Sequence, residues 1–172
     1  QVVEVGGDDA AAFEVERALQ FGDDGEHPGD RITPGRDVAA LHGVERILHA
    51  GDLGAADVLE RLRAIAPTTA VRGNVDHGGW AQALPMTEVV RLGALDVYML
   101  HDLSTLDLDP AAAGLAAVIS GHSHQPRADW KGGILYLNPG SAGPRRFALP
   151  VTVSILGVEG GTLTHQRLDL PV

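Results

Sequence analysis

The first half of the chain alternates helical apolar spacing with short apolar runs typical of buried strands. Residues 38–52 predict a helix followed by a strand that ends at Asp52. Residues 57–66 predict a second helix, which Pro67 ends, and residues 68–71 predict the next strand. The apolar residues on one face of the second helix are Val58, Leu59, Leu62 and Ile65.

The second half contains runs that are continuously apolar or alternate between apolar and polar residues, as expected for strands. Two hairpins are predicted, one around Gly93-Ala94 and one across Gly160-Gly161, and Asp109-Pro110 has the capping pattern of a short helix. Because β/α units come first and antiparallel strands later, we predict an α/β fold. The predicted strands of this half are 86–92, 95–100, 115–120, 134–137, 151–158 and 162–168.

The composition predicts one globular domain, residues 1–172, since 44% of the residues are hydrophobic and 21% are charged. The formal net charge of -10 argues against nucleic acid or an anionic membrane as a partner, because both require clustered lysine and arginine. The absence of cysteine excludes disulfides and thiolate ligands. No apolar run approaches the ~20 residues of a membrane span. We therefore expect a cytoplasmic protein, and the sequence is compatible with a homo-oligomer.

Candidate metal ligands follow four of the predicted strands. Asp52, Asn74 and His101 each come shortly after an apolar run, and Gly121-His122-Ser123-His124 follows another. Loops after strands are where a rigid scaffold places chemical groups. Taken singly, each of these residues has an ordinary interpretation as a turn residue or a packed histidine. The ordered combination, however, predicts a divalent-metal site, and the His-x-His pair suits two adjacent ions.

This combination resembles the calcineurin-like metallophosphoesterases, in particular their small bacterial and archaeal phosphodiesterase branch, which is itself similar to the retromer scaffold subunit. The resemblance extends from about Val38 to the C-terminus and rests on Gly121-His122-Ser123-His124 and Asn138-Pro139-Gly140-Ser141. It implies a four-layer α-β-β-α sandwich with metal ions at the strand ends. It also implies hydrolysis of a small phosphodiester or phosphomonoester by a metal-bound hydroxide.

The resemblance further implies a role for each candidate ligand. Asp52 would bridge two ions, and His124 would bind the first of them. The remaining ligands of the second ion would be Asn74, His101 and His122. Two ions about 3.5–4 Å apart activate a shared water and clamp the phosphoryl oxygens. Manganese is the expected metal, and zinc, iron, cobalt and nickel are compatible with the same mixed ligands.

The first strand of the family normally ends in Asp-x-His, and this chain contains no such tripeptide. One interpretation is that His27 and Asp30, which lie near the expected spacing before Asp52, replace that pair. Without a replacement the first ion keeps only Asp52 and His124. A non-catalytic scaffold and a single-ion remnant of the same fold are therefore alternatives to an enzyme.

Two other interpretations of the N-terminal segment remain open. In one, residues 2–5 form the first strand, Asp8 and Asp9 follow it, and residues 10–19 form a helix. In the other, residues 1–37 do not match the family because of a wrong start or a shifted reading frame, and are foreign to the fold.

Other polar residues near these motifs have two interpretations each. Val75 stands where many relatives have a catalytic histidine, and Asp76 beside it either orients a ligand or a water, or caps a turn. Asp102 either hydrogen-bonds a ligand imidazole or is a solvated surface residue. Arg145 and Arg146 are candidates for contact with a substrate phosphate, since the arginine fork fits its oxygens, or are ordinary surface cations.

Overall fold

Two five-stranded sheets pack face to face in the computed structural model, which describes residues 16–21, 44–142 and 148–170. The helices within these ranges are α1 (Ala56–Arg63), α2 (Gly79–Gln82) and a 3-10 turn (Leu103–Thr105). The strands are β1 (Glu16–Phe21), β2 (Arg46–His49), β3 (Thr68–Ala70), β4 (Thr87–Leu92), β5 (Leu95–Leu100), β6 (Ala117–Ile119), β7 (Arg127–Lys131), β8 (Ile134–Asn138), β9 (Thr152–Glu159) and β10 (Thr162–Asp169).

The first sheet has the strand order β10-β9-β1-β2-β3. Strands β1, β2 and β3 run parallel, with Phe21 opposite His49 and His49 opposite Ala70. Their carboxyl ends therefore reach the same edge of the sheet. The predicted hairpin across Gly160-Gly161 is confirmed as β9 and β10.

Strand β1 corrects the predicted helix at residues 10–19, because residues 16–19 are extended. They pair with β2 on one side and with β9 on the other, so the sheet supplies the hydrogen bonds that a helix would have formed internally. Residues 16–21 are thus part of the fold, contrary to the interpretation that all of 1–37 is foreign to it. Residues 2–5 and the candidate ligands of this segment lie outside the described residues: Asp8, Asp9, His27 and Asp30.

The second sheet has the strand order β4-β5-β6-β8-β7. Strands β5, β6 and β8 are parallel, so a second set of carboxyl ends lies at one edge. The predicted hairpin around Gly93-Ala94 is confirmed as β4 and β5, with Leu92 opposite Leu95. The edge strand β7 was not predicted, because its side chains are mostly exposed and charged and show no buried alternation.

The main core lies between the two sheets. Leu48 and Leu156 of the first sheet pack there with Met99, Ile119 and Leu135 of the second, and all five are fully buried. A second core lies outside the first sheet, where Ile47 and Val153 meet helix α1. The alternation of Ile47 and Leu48 between these two cores is the period-two signature of a strand that is covered on both faces.

Two predictions about helices need correction, and a third falls largely outside the described residues. Helix α1 ends at Arg63 rather than at residue 66, and Ile65 is 39% exposed instead of lying on the buried face. The segment after Asp109 forms a hydrogen-bonded turn, with the Asp109 carboxylate accepting from the N–H of Ala111 at 2.9 Å, and no regular helix follows. The helix predicted before β2 falls on residues 38–43, outside the described residues, and Val44 is not helical. No helix in the described ranges is long and apolar enough to cross a membrane.

Candidate metal centre

The carboxyl ends of the parallel strands in both sheets meet at one edge of the sandwich. Asp52 follows β2 and Asn74 follows β3 in the first sheet, while His101 follows β5 and His122 follows β6 in the second. Asp52 is 2% exposed and His101 is 6% exposed, whereas Asn74 and His122 face solvent. The structure therefore brings together four of the five residues that the strand-end pattern selected, in a site that is buried on one side and open on the other.

The polar atoms of these four side chains lie close together. The Nε2 atom of His101 is 2.8 Å from Oδ1 of Asn74 and 3.3 Å from Oδ2 of Asp52. The Nδ1 atom of His122 is 3.0 Å from the same Asn74 oxygen and 3.3 Å from Nε2 of His101. Neighbouring ligands at about 2.1 Å from one ion are separated by about 3.0–3.4 Å. The separations of 3.0, 3.3 and 3.3 Å lie in that range, and the separation of 2.8 Å between His101 and Asn74 is slightly shorter.

The hydrogen bonding of His101 supports a cation at this point. Its Nδ1 atom lies 2.8 Å from the backbone oxygen of Ala50. Because a carbonyl oxygen only accepts, Nδ1 carries a proton, and Nε2 is the ring nitrogen that would coordinate an ion. Nε2 faces an amide oxygen, a carboxylate oxygen and a second imidazole nitrogen. A positive ion at this point would have all four of these donor atoms within reach, so the donor set fits a divalent metal.

The amide oxygen of Asn74 is essential to this donor set. Histidine, cysteine and carboxylate side chains alone form no group of three able to hold a metal in the described part of the chain. Both imidazoles instead converge on the Asn74 oxygen, at 2.8 and 3.0 Å. Mixed amide, carboxylate and imidazole donors suit first-row divalent ions rather than a soft thiolate-preferring metal.

Three candidate ligands adopt backbone conformations that L-residues avoid. Asp52, His122 and His124 have φ angles of +61°, +65° and +56°, and they are the non-glycine residues with positive φ in the described ranges. Each such residue costs about 1–3 kcal/mol, a strain that persists only where the surroundings impose it and that concentrates at functional sites. The coincidence of this strain with the ligands predicted from the sequence marks the site independently of the donor atoms.

Two glycines permit the close approach of the loops. A Cβ on Gly73 would overlap the carboxylate of Asp52, and a Cβ on Gly51 would lie 2.7 Å from Nδ1 of His101. Gly51 also has a φ of +94°, which favours glycine. Any larger residue at either position would push a candidate ligand out of place.

Asp76 holds the two loops of the first sheet together. Its carboxylate accepts hydrogen bonds from the backbone N–H groups of Asp52 at 2.9 Å, Gly54 at 2.9 Å and Gly73 at 2.8 Å. In turn, Oδ1 of Asp52 accepts from the N–H of Val75 at 3.0 Å. These contacts fit both interpretations of Asp76, since its carboxylate caps the two loops and thereby positions the backbone of the candidate ligand Asp52.

Asn138 has the corresponding role in the second sheet. Its side-chain nitrogen donates to the backbone oxygen of Gly121 at 2.5 Å and to Oγ of Ser123 at 3.1 Å, while its oxygen accepts from the N–H of Gly140 at 2.9 Å. The Asn138-Pro139-Gly140-Ser141 segment thus braces the loop that contains His122. The sequence identified this segment only as part of a family motif, because its partner lies 17 residues away along the chain.

Two further residues lie beside the cluster. The Nδ1 atom of His124 is buried, and this residue follows His122 in the same loop. Asp102 caps the 3-10 turn by accepting from the N–H of Ser104 at 2.9 Å. This bonding to Ser104 holds the pKa of the Asp102 carboxyl below its ordinary value, and the imidazoles of His122 and His101 act in the same direction. Asp102 therefore neither bonds a ligand imidazole nor is merely solvated.

Two cavities open on either side of His122. One, of about 280 Å³, is lined by residues that include Asp102, Leu103 and Tyr136. The other, of about 200 Å³, is lined by residues that include Arg72, Asn74 and His101. Arg145 and Arg146, predicted as phosphate contacts, lie outside the described residues. Arg72 was not singled out in the sequence, since nothing local distinguishes it from a surface arginine.

Comparison with known proteins gives a family match over most of the chain. Residues 27–161 match the calcineurin-like phosphoesterase superfamily domain. A probable metallophosphoesterase of Methanothermobacter thermautotrophicus is 37% identical over 141 residues, which are 77% of this chain and 81% of that protein.

Solved structures show the same fold. Vacuolar protein sorting 29 from Cryptosporidium parvum matches with a TM-score of 0.71 and 19% identity, covering 90% of this chain and 98% of that one. An archaeal phosphodiesterase matches with a TM-score of 0.70 and 20% identity, covering 88% of this chain and 99% of that one. The sandwich architecture predicted from the sequence is thereby confirmed.

Proposed function

We propose that this chain, which belongs to the calcineurin-like phosphoesterase superfamily, hydrolyses a small phosphodiester or phosphomonoester with the help of divalent metal ions. The observation that supports this most directly is the convergence of Asn74, Asp52 and His122 on the Nε2 atom of His101. The family binds divalent metals, and these side chains offer one ion four donor atoms.

The residues of the chain have distinct tasks in this proposal. Asn74, His101 and His122 would hold one ion together with Asp52, and Asp52 and His124 would contribute to holding a second. When bound, the ions activate the attacking water and stabilise the negative charge that develops on the phosphoryl group. The Ala50 carbonyl fixes the proton of His101 on Nδ1, which keeps Nε2 available as a ligand. The Asp76 carboxylate holds the backbone of Asp52 in its strained conformation.

Hydrolysis of bis-p-nitrophenyl phosphate in the presence of manganese tests the proposal. Asp52→Asn and His122→Ala should each lower kcat by at least about 100-fold, because each removes a ligand of the ions that stabilise the transition state. His165→Gln is the matched control, since His165 lies on β10 and bonds Ser154 rather than the cluster. Turnover by either ligand variant at the rate of the control contradicts the assignment.

A non-catalytic scaffold is the second candidate, and the similarity to vacuolar protein sorting 29 favours it. Metal content separates the two. We expect about two manganese or zinc ions per chain together with turnover for the enzyme, and one ion or none without turnover for the scaffold. One ion with residual activity, unchanged in His124→Ala, would instead identify a single-metal hydrolase built on Asp52, Asn74, His101 and His122.

A further inference from the structure

Arg72 stands immediately beside the candidate metal centre. It follows β3 and precedes Gly73-Asn74, so its main chain leads directly into the loop that supplies the amide ligand. Its backbone N–H donates to the carbonyl oxygen of Pro85 at 2.8 Å. The base of this side chain is therefore fixed relative to the ligand two residues further along the chain.

The guanidinium of Arg72 is turned onto a sulfur atom. Its Nε and Nη2 atoms lie 3.2 and 2.9 Å from Sδ of Met86, and Met86 is 57% exposed. A thioether is a weak acceptor and leaves the positive charge of the fork uncompensated. Five other arginines of the described residues differ, because each of them is paired with a carboxylate close to it along the chain: Arg61, Arg63, Arg91, Arg127 and Arg167.

Arg72 and the candidate ligands share a cavity. Arg72 and Met86 line the cavity of about 200 Å³ that is also lined by Asn74, His101 and His122. The carboxylate on this wall is Asp102, and one of its oxygens already accepts from the N–H of Ser104. In a chain with a formal net charge of -10, a cationic fork in this position offsets the repulsion of an incoming anion.

We propose that Arg72 binds a non-bridging phosphate oxygen of the substrate at this centre, exchanging the sulfur of Met86 for the anion. The planar fork of arginine presents two parallel N–H donors that match two oxygens of a phosphate, and such bonds are about twice as strong as neutral ones. This inference rests on the proposed function in one respect, namely that the anion is a phosphate group at the same metal site. Arg72 is then a determinant of substrate affinity that the sequence did not reveal.

A structural role is the competing explanation. Contacts of Arg72 with Pro85 and Met86 would then serve to fasten the loop before β4 to the end of β3. Removal of the guanidinium would in that case lower the thermal unfolding midpoint and leave anion binding unchanged. The two roles therefore differ in a measurable way.

Binding of inorganic phosphate to the manganese-loaded protein, measured by isothermal titration calorimetry, tests the proposal without requiring turnover. Arg72→Met should weaken phosphate binding by roughly 10- to 100-fold, since hydrogen bonds to charged groups are the strong ones. The phosphate affinity of Arg72→Lys should lie between those of the wild type and Arg72→Met, because lysine keeps the positive charge and lacks the planar fork. Arg91→Met is the matched control, as Arg91 pairs with Asp96 on the β4–β5 hairpin.

Kinetics on bis-p-nitrophenyl phosphate provide the second measurement, with KM rising in Arg72→Met more than kcat falls. Phosphate binding that is equal in the wild type, Arg72→Met and Arg91→Met overturns the inference, and so does a lowered unfolding midpoint as the sole effect of Arg72→Met. Phosphate binding that depends on Arg72 in a protein without turnover supports the inference and contradicts the proposed function. Turnover that is insensitive to Arg72 supports the proposed function and contradicts the inference. A wild-type protein that binds no phosphate overturns the inference as well.

Discussion

At the scale of single residues, the candidate metal centre combines residues that have a strained backbone with glycines, which have no side chain. Asp52, His122 and His124 have positive φ angles, and Gly51 and Gly73 leave room that any Cβ would fill. The strain at the three ligands costs about 1–3 kcal/mol each, so the remainder of the fold has to stabilise it. The Asp76 carboxylate contributes by accepting from three backbone N–H groups. A functional explanation accounts for both features, since strain of this kind has no use in a core.

Gly73→Ala should reduce manganese binding by at least about tenfold, because the new methyl group overlaps the Asp52 carboxylate and displaces a candidate ligand. Metal content after dialysis and turnover of bis-p-nitrophenyl phosphate provide the measurement. Gly79→Ala is the control, since a Cβ there meets no atom within 4 Å. Equal metal content in the two variants would contradict the role given to Gly73.

Asp76→Asn should lower the free energy of unfolding by about 1–3 kcal/mol, because the amide keeps one accepting oxygen and leaves a buried N–H unsatisfied. Asp109→Asn serves for comparison, since Asp109 caps an exposed turn and asparagine is about as good at such a position. Urea denaturation monitored by circular dichroism measures both. If Asp76→Asn is no less stable than Asp109→Asn, the Asp76 carboxylate does not hold the loops.

At the scale of elements, local apolar patterns predicted most strands and failed where pairing was decided elsewhere. The hairpins β4–β5 and β9–β10 have clear alternation around glycine turns and were predicted correctly. Strand β1 was not predicted, because its sequence shows no strict alternation of apolar and polar residues. The segment becomes extended by pairing with β2 and β9. Strand β7 is exposed and charged, and it forms because β8 offers it an edge.

The β9–β10 hairpin contains a group that links stability to pH. Burial lowers the pKa of the His165 imidazole below its ordinary value, and the charge of Arg167 lowers it further. The unfolded chain, with a histidine pKa of about 6.5, then binds more protons than the folded one below that pH, so stability falls as the pH is lowered through this range.

The free energy of unfolding should accordingly decrease between about pH 7 and pH 5, and the decrease should be smaller in His165→Gln. Gln166→Ala is the control, because it changes a neighbouring position of β10 and removes no titrating group. Denaturation series at each pH measure the effect. The same slope in His165→Gln and Gln166→Ala would show that His165 is not its source.

At the scale of the whole molecule, the centre exists because two sheets present their carboxyl edges to each other. Asp52 and Asn74 come from the first sheet, and His101 and His122 come from the second. The hydrogen bond from His101 to the Ala50 carbonyl and the contact of His122 with Asn74 both cross between the sheets. An ion at this point therefore connects both halves of the sandwich and stabilises the folded state over the unfolded one.

Manganese at about 100 times its dissociation constant should stabilise the fold by about 2.7 kcal/mol, which corresponds to a rise of roughly 5–10 °C in Tm for a chain of this size. Differential scanning calorimetry with manganese and with EDTA measures the shift. His122→Ala should lose most of it, whereas His165→Gln should keep it. A rise in Tm of equal size in His122→Ala and in the wild type would show that the stabilising ion binds elsewhere.

The sequence alone determined most of the buried strands and that polar residues follow their ends, because apolar periodicity and chain order are local properties. It therefore indicated the four candidate ligands that follow β2, β3, β5 and β6. Only the tertiary structure decided that Nε2 of His101 points at Asn74 and Asp52, that Asp76 positions Asp52, and that Arg72 lines the same cavity. These facts depend on contacts between residues as far as 51 positions apart, which strand pairing and sheet packing create and which no local pattern encodes.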